Sequence, residues 1–198
     1  MQTLHHSLVM NRRVRVLANH LATLLPKNQP LTGLDVGCGS GEIAVAVNAL
    51  RPNAKLEGVD VLVRPKTAIP VRQFDGKTLP YPDNSFDFVM VVDVLHHTHD
   101  PKAVLAECTR VAKQAVLIKD HCCNSWFDEI RLRFMDWVGN RSYGVALPYH
   151  YLSSRGWNAI FGEIGWFPKV MQRRLNLYPV PFRYLFDRNL HFVAKLTN

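Results

Sequence analysis

The sequence has 198 residues, 47% of them hydrophobic and 20% charged, with a formal net charge of +8. That balance belongs to a globular chain without repeats or low-complexity segments, and no apolar run approaches the length of a membrane span. The expectation is one cytoplasmic domain over residues 1–198, because the amino terminus, with His5, His6, Arg12 and Arg13, lacks the apolar core of a secretory signal. Cys38, Cys108, Cys122 and Cys123 have neither zinc-finger spacing nor the arrangement of a disulfide framework. The basic residues are scattered, at Arg12–Arg15, Arg131–Arg141, Arg173–Arg174, Arg183 and Arg188. The charge is therefore compatible with peripheral contact at an anionic membrane, and it is not read as a nucleic-acid footprint.

In chain order, Met10, Val14, Leu17, Leu21 and Leu24 keep helical spacing up to Pro26 and predict an amphipathic leading helix. Leu31–Val36 reads as a buried strand that runs into Gly37, Gly39 and Gly41, after which Glu42–Leu50 starts a helix. Alternate glycines allow positive φ and leave no Cβ between the main chain and a ligand. Glu42 stands where a dinucleotide fingerprint requires its third glycine, and the Lys-Ser/Thr of a phosphate loop is absent. Asp35 can accept from a cationic amine, and the N–H groups at the helix start can meet a carboxylate, so the loop suits an amino-acid moiety.

A second strand, Leu56–Asp60, ends in an acid placed to bind a ribose diol. Fourteen residues separate Asp60 from Asp75 and include Pro65 and Pro70, too few for a crossover helix, so Leu62–Val71 is expected to be an extended loop. Gln73–Gly76 then places Asp75 where it could accept from an adenine amino group. Amino acid, ribose and adenine together make S-adenosylmethionine.

Phe86–Val92 is a clean buried strand after the turn Pro82–Ser85, and Asp93–Asp100 forms a loop. Asp100 caps a helix over Lys102–Lys113 with Pro101 at its first position, and a strand follows at Ala115–Asp120. Trp126, Phe127, Ile130, Phe134, Trp137 and Val138 keep helical spacing, with Gly139 as a stop. With Asn140–Tyr151 this segment could roof a substrate pocket. A helix at Ser154–Ile164, a strand at about Val170–Leu177, a loop at Tyr178–Asn189 and a strand at Leu190–Leu196 complete the chain.

Four segments in order, LDVGCGSGE at 34–42, GVD at 58–60, FDGKTLPYPDNSFDFVMVVDVLHH at 74–97 and ECTRVAK at 107–113, resemble the class I S-adenosylmethionine-dependent methyltransferases. The resemblance is to the small-molecule type that includes ubiquinone and menaquinone biosynthesis enzymes, and it covers Leu31–Asp120. It implies an α/β fold, a Rossmann-like, doubly wound, mostly parallel seven-strand sheet with helices on both faces and a last strand running antiparallel. The leading helix would close over the cofactor; beyond Asp120, where the resemblance ends, residues 121–167 are expected from their own pattern to form a helical substrate-side lid inserted after strand five. The resemblance further implies that Asp35, Gly37, Cys38, Gly39, Gly41, Asp60, Val61, Asp75, Gly76 and Asp93 border the cofactor, which leaves as S-adenosylhomocysteine. The chain departs from the family in the short 61–74 segment and in Lys113-Gln114, which replaces the usual Pro-Gly-Gly.

The reading is methyl transfer to a small-molecule acceptor, apolar or aromatic, at oxygen, nitrogen or carbon. The competing readings are a nucleic-acid methyltransferase and a catalytically silent cofactor-binding regulator. Against the first, Asp93-Val94-Leu95-His96 stands where a base-methylation motif would carry Asn-Pro-Pro-Tyr; against the second, the loop glycines and Asp60 are intact. Because the cofactor carries its own leaving group, alignment is the protein's main task, and a base near neutral pKa helps at an oxygen or nitrogen acceptor. His121 is the candidate base, Asp120 orients it or holds the acceptor, and His97 positions the methionine end of the cofactor. His96 and His99 read as strand or turn caps. No metal is assigned, because adjacent ligands among His96, His97, His99, His121, Cys122 and Cys123 rarely point at one ion.

Overall fold

The computed structural model describes residues 2–140, 149–187 and 189–198, with side chains from Asn11 onward except at positions 139 and 140. Its central strand is β1 (Leu31–Val36), in which five of six residues are buried. β4 (Phe86–Val92) is buried at six of seven positions and, as a strand covered on both faces requires, is apolar everywhere but Asp87. β1 pairs in parallel with β4 on one side and with β2 (Ala54–Asp60) on the other. β3 (Val71–Gln73) adds outside β2, and β5 (Ala112–His121) adds outside β4. β7 (His191–Thr197) runs antiparallel to β5, and β6 (Phe167–Gln172) antiparallel to β7. The seven-stranded order is β3-β2-β1-β4-β5-β7-β6.

Chain direction through the sheet reverses between β1 and β4, and the carboxyl ends of both strands open into the crevice that this switch creates. One face of the sheet is covered by α1 (Gln2–Thr23) and α2 (Glu42–Leu50), through Leu17, Leu21, Ala44 and Val47. α3 (Pro101–Val111) and α5 (Ser154–Ile164) cover the other face with Leu105, Cys108, Trp157 and Phe161. α4 (Trp126–Asn140) follows β5, and the short α6 (Arg183–Phe186) precedes β7. None of the helices searched is long and apolar enough to cross a membrane.

The elements form close to their expected places, with four differences, the first being the short α6 inside the Tyr178–Asn189 segment expected as a loop. α3, capped by the Asp100 side chain as expected, ends at Val111, and Ala112 passes directly into β5, so no glycine link is needed. α4 continues through Gly139 to Asn140. β6 occupies Phe167–Gln172, earlier than the expected Val170–Leu177, because Gly165 adopts the left-handed conformation that ends α5. Leu175 and Leu177 are buried against the leading-helix side of the core, and His20 of α1 bonds the Leu175 carbonyl at 3.0 Å. Their alternation thus reflects packing on α1 and not pairing within the sheet. The 61–70 segment holds no helix, as its length requires.

Gly33 of β1 lies in register with Phe88 of β4, whose ring stands where a side chain would be: a Cβ on Gly33 would come within 2.4 Å of Cζ. Gly33→Ala is expected to overpack this contact and lower stability by about 1–3 kcal/mol. A denaturant midpoint unchanged from that of the unaltered chain would show that the Phe88 ring can move aside without cost.

Candidate functional site

Gly37, Gly39 and Gly41 have φ of 70°, 57° and 81°, a region that only glycine enters freely. A Cβ would stand 2.4 Å from Val94 at Gly37 and 2.6 Å from Ile69 at Gly41, so space as well as conformation demands glycine. The loop is tied to the second strand. Gly37 and Cys38 N–H groups donate to the Val59 carbonyl at 2.8 and 3.2 Å, and Gly39 N–H donates to Asp60 Oδ2 at 2.8 Å. Asp60 Oδ1 accepts from Leu62 N–H at 2.9 Å, which leaves each oxygen with acceptor capacity for a diol.

Asp35 is buried beneath this loop, and desolvation, followed by the charge of Asp60, raises its carboxyl well above the ordinary range. A buried acid beside a second acid gains most from a cationic partner, and an ammonium group at the loop would provide one. Burial, then Asp35 and Asp60, also pushes the Cys38 thiol up to about 12, which leaves it a packing group. A Cβ at Gly39 would meet only the Arg64 side chain, at 3.5 Å, so this part of the loop is open to an approaching ligand. The glycine cradle and the buried acid fit an amino-acid nucleoside.

Across the crevice mouth, Asp75 is exposed and its Oδ1 accepts from Lys77 and Thr78 N–H groups, both at 2.8 Å, bonds that lower its carboxyl pKa. Gly76 has φ of 78°, and a Cβ there would lie 3.1 Å from Val61, so Val61 and Gly76 stand side by side. Asp93 differs from expectation. Its carboxylate is engaged within the protein by Lys119 on one oxygen and Arg13 on the other. Burial opposes its charge, but Lys119 and Arg13 outweigh it and hold the carboxyl well below the ordinary range. Asp93, expected among the cofactor contacts, thereby also anchors α1 to β4 and β5.

Behind that ion pair lies a buried polar cluster. Asp120 accepts from Leu95 N–H at 3.0 Å, His121 N–H at 2.7 Å and His96 Nδ1 at 2.7 Å. Asp120 therefore orients His96, which had read as a simple cap, and touches His121 only through its backbone. The 3-10 turn Leu95–His97 is held in place by these bonds. The His121 ring packs on His96 at 4.3 Å between centroids, with Nδ1 at 3.1 Å from His191 Nδ1 and Nε2 at 3.5 Å from Asp136 Oδ1. His191 Nε2 faces the Phe186 carbonyl at 2.8 Å. A carbonyl only accepts, so this nitrogen carries the proton, His191 Nδ1 accepts from His121 Nδ1–H, and His121 Nε2 is left as a lone pair. Burial, then Lys119 and His96, keep His121 neutral with its pKa well below ordinary. Burial and then His96 lower His97 as well. For His96, the carboxylates of Asp120 and Asp136 overcome burial and raise the pKa. His99 is exposed beside His150.

Sequence reasoning missed Arg13, Lys119, Asp136 and His191, whereas Tyr151, with Tyr143, Tyr149 and Trp157, had suggested a pocket for an apolar or aromatic acceptor. Only tertiary folding brings the four missed residues to one point, although a lysine inside a strand of otherwise apolar residues, VLIKD, was a usable signal. α4 turns Leu132 and Asp136 inward, while Trp126, Phe127, Ile130, Phe134 and Trp137 are exposed on its other side. The aromatic face therefore does not line an internal pocket among the described residues. Trp157 is core, Tyr149 and Tyr151 are half-buried, and Tyr143 lies outside the described residues.

A doubly wound sheet with a glycine loop at its switch point defines a nucleoside-binding α/β class. Residues 34–118 match the family model described as a methyltransferase domain. The ubiquinone/menaquinone biosynthesis C-methyltransferase UbiE of Cupriavidus metallidurans is 27% identical over 139 residues, covering 61% of this chain and 57% of that protein. The 27-O-demethylrifamycin SV methyltransferase of Amycolatopsis mediterranei is 28% identical, covering 57% of this chain and 48% of that protein. The chain thus spans about half the length of these curated relatives. Among solved structures, an S-adenosylmethionine-dependent methyltransferase from Mesorhizobium loti superposes with a TM-score of 0.65 at 15% identity, covering 91% of this chain and 96% of that one. One from Aquifex aeolicus gives 0.60 at 17% identity, with 90% and 88% covered. Residues 34–118 are thus similar to a methyltransferase domain, and the fold is the one seen in these solved S-adenosylmethionine-dependent methyltransferases.

Asp93→Ala should leave Lys119 as an uncompensated charge inside the protein and cost about 3–5 kcal/mol, measured by urea unfolding. Adding Lys119→Met to that variant should restore much of the loss. A double variant no more stable than Asp93→Ala would place the cost elsewhere.

Proposed function

We propose that this protein transfers a methyl group from S-adenosylmethionine to a small-molecule acceptor and releases S-adenosylhomocysteine. The observation that carries the reading is the glycine loop, tied to Asp60 and set over buried Asp35, opening beside a histidine cluster at the ends of β4 and β5. Asp35 receives the amine, N–H groups at the start of α2 meet the carboxylate, and Cys38 packs the loop against Gly58. Asp60 holds the ribose with Val61 beside it, and Asp75 with Gly76 forms the adenine edge. The bound cofactor supplies an activated methyl group and a good leaving group; the protein supplies alignment, exclusion of water and a proton acceptor.

In this reading residues 1–198 act as one domain, with 121–167 on the acceptor side. His121 is the base through its Nε2 lone pair, which lies 3.5 Å from Asp136 Oδ1, although the burial that keeps the ring neutral also makes it a weaker base than an ordinary imidazole. Asp120 fixes the turn and the His96 ring, and His97, half-buried on that turn, positions the reacting partners. The apolar exposed side of α4, with Phe182, Tyr184 and Leu185 exposed on and beside α6, suits an apolar acceptor or the surface that carries it.

Calorimetry should find binding of S-adenosylmethionine and S-adenosylhomocysteine and none of nicotinamide dinucleotides. Asp60→Ala should weaken that binding by about 1–3 kcal/mol, through the lost ribose acceptor. Affinity for NAD without affinity for either sulfur nucleoside would sink the proposal. Once labelled methyl transfer from extracts has identified an acceptor, His121→Gln should lower turnover by about 10²–10⁴ with cofactor affinity unchanged. Full turnover in a folded His121→Gln chain would remove the base assignment.

A further inference from the structure

His96 Nδ1 faces an Asp120 oxygen at 2.7 Å, and a carboxylate that already accepts two backbone N–H groups can only accept, so Nδ1 carries the proton. The other nitrogen, Nε2, has no hydrogen-bond partner among the described residues although His96 is only 2% exposed; it is an acceptor in the neutral ring, and the two neighbouring carboxylates favour a positive charge on it, whether a proton or a metal ion that replaces the proton. It points at another acceptor, Asp136 Oδ2, 3.5 Å away. Asp136 is itself buried, and its Oδ2 takes the Tyr151 hydroxyl proton. His97 Nδ1 is a second buried ring nitrogen without a partner. One ligand atom from each of His96, His97 and Asp136 lies within 4.8 Å of the others. Electron pairs converging out of water repel one another unless something positive lies between them.

We propose that His96, His97 and Asp136 form a binding site for a divalent transition-metal ion of the zinc class. Two imidazoles and a carboxylate are the donor set of such ions, and three protein ligands leave a coordination position open. With metal–ligand bonds of about 2.0–2.1 Å, neighbouring ligands of a tetrahedral ion are separated by about 3.3 Å. The 3.5 Å between His96 Nε2 and Asp136 Oδ2 therefore needs almost no adjustment. The surroundings match as well. Asp120 receives the far N–H of His96 and Tyr151 bonds the Asp136 carboxylate, the outer contacts that orient metal ligands. The objection that adjacent residues rarely share an ion is met by the 3-10 turn, which brings the two rings to 4.0 Å between centroids.

A second grouping, Asp93, His96 and His121, is equally compact. It is the weaker candidate, because Lys119 and Arg13 already neutralise Asp93 and would repel a cation. The proposed site deepens the methyl-transfer reading, on which its role rests: an open position beside the histidine cluster would hold an acceptor oxygen or nitrogen. Metal binding itself is read without cofactor or acceptor, so failure of one is distinguishable from failure of the other.

The test uses the purified chain, stripped with a chelator and titrated with Co²⁺ by visible absorption and with Zn²⁺ by competition. One equivalent per chain with the ligand-field bands of a nitrogen- and oxygen-coordinated ion is expected. Asp136→Asn and His97→Gln should each weaken binding at least 100-fold, and Tyr151→Phe by about 10-fold, as outer contacts do. His97 is half-buried, so His97→Gln keeps the comparison available if Asp136→Asn does not fold. Absence of stoichiometric binding, or binding undiminished in the folded His97→Gln chain, overturns the site. So does a nitrogen NMR signal showing His96 doubly protonated at neutral pH in the presence of Zn²⁺.

Discussion

The end of this sheet where β4 and β5 finish depends on one constraint, the neutralisation of a lysine that has almost no access to water. Lys119 sits in β5 with 1% of its surface exposed, where an unpaired ammonium would cost several kcal/mol. Asp93, at the end of the neighbouring strand and in a left-handed conformation, turns its carboxylate to it. Arg13 closes the pair from α1. Three elements distant in sequence are thus locked at one point, and the turn after β4 leaves the sheet from that point. Burial, and then the charge of the same lysine, also holds His121 and His191 neutral.

From there the crevice has two unlike halves. On the β1 and β2 side, the backbone is the binding surface: glycines in left-handed conformations, N–H groups directed at Val59 and Asp60, and a buried acid below. On the β4 and β5 side, the surface is made of side chains, with Asp120 distributing three hydrogen bonds that fix the turn and the His96 ring. Val94 packs against Gly37 and joins the halves, which sets their spacing through a van der Waals contact.

α4 is amphipathic in an unusual sense. Its inward residues are few, Leu132 for packing and Asp136 for the histidine cluster, whereas its outward residues include most of its aromatics. A helix with an exposed apolar face presents that face to something other than water. The inward carboxylate gives the same helix a role at the site.

The strands, the helices and the glycine loop were legible in the sequence because each is a local pattern. Leu31–Val36 followed by alternate glycines specifies strand, turn and helix by backbone conformation alone. Asp60 declared itself by ending a strand at the right distance. The short 61–74 segment excluded a helix by length. The histidine cluster was only partly legible. His97, Asp120 and His121 could be picked out from their places after strands, but their partners could not. Asp136 comes from α4, Arg13 from α1 and His191 from β7, the last placed opposite His121 by antiparallel register. Nothing in the chain order brings them together. Which nitrogen of each ring keeps a lone pair depends on hydrogen bonds across those elements, and such bonds exist only once the sheet has closed and excluded water. Sequence alone therefore determined the binding loop, whose chemistry is written in consecutive residues. Tertiary structure decided the polar site, whose chemistry arises from charges and lone pairs forced together out of solvent.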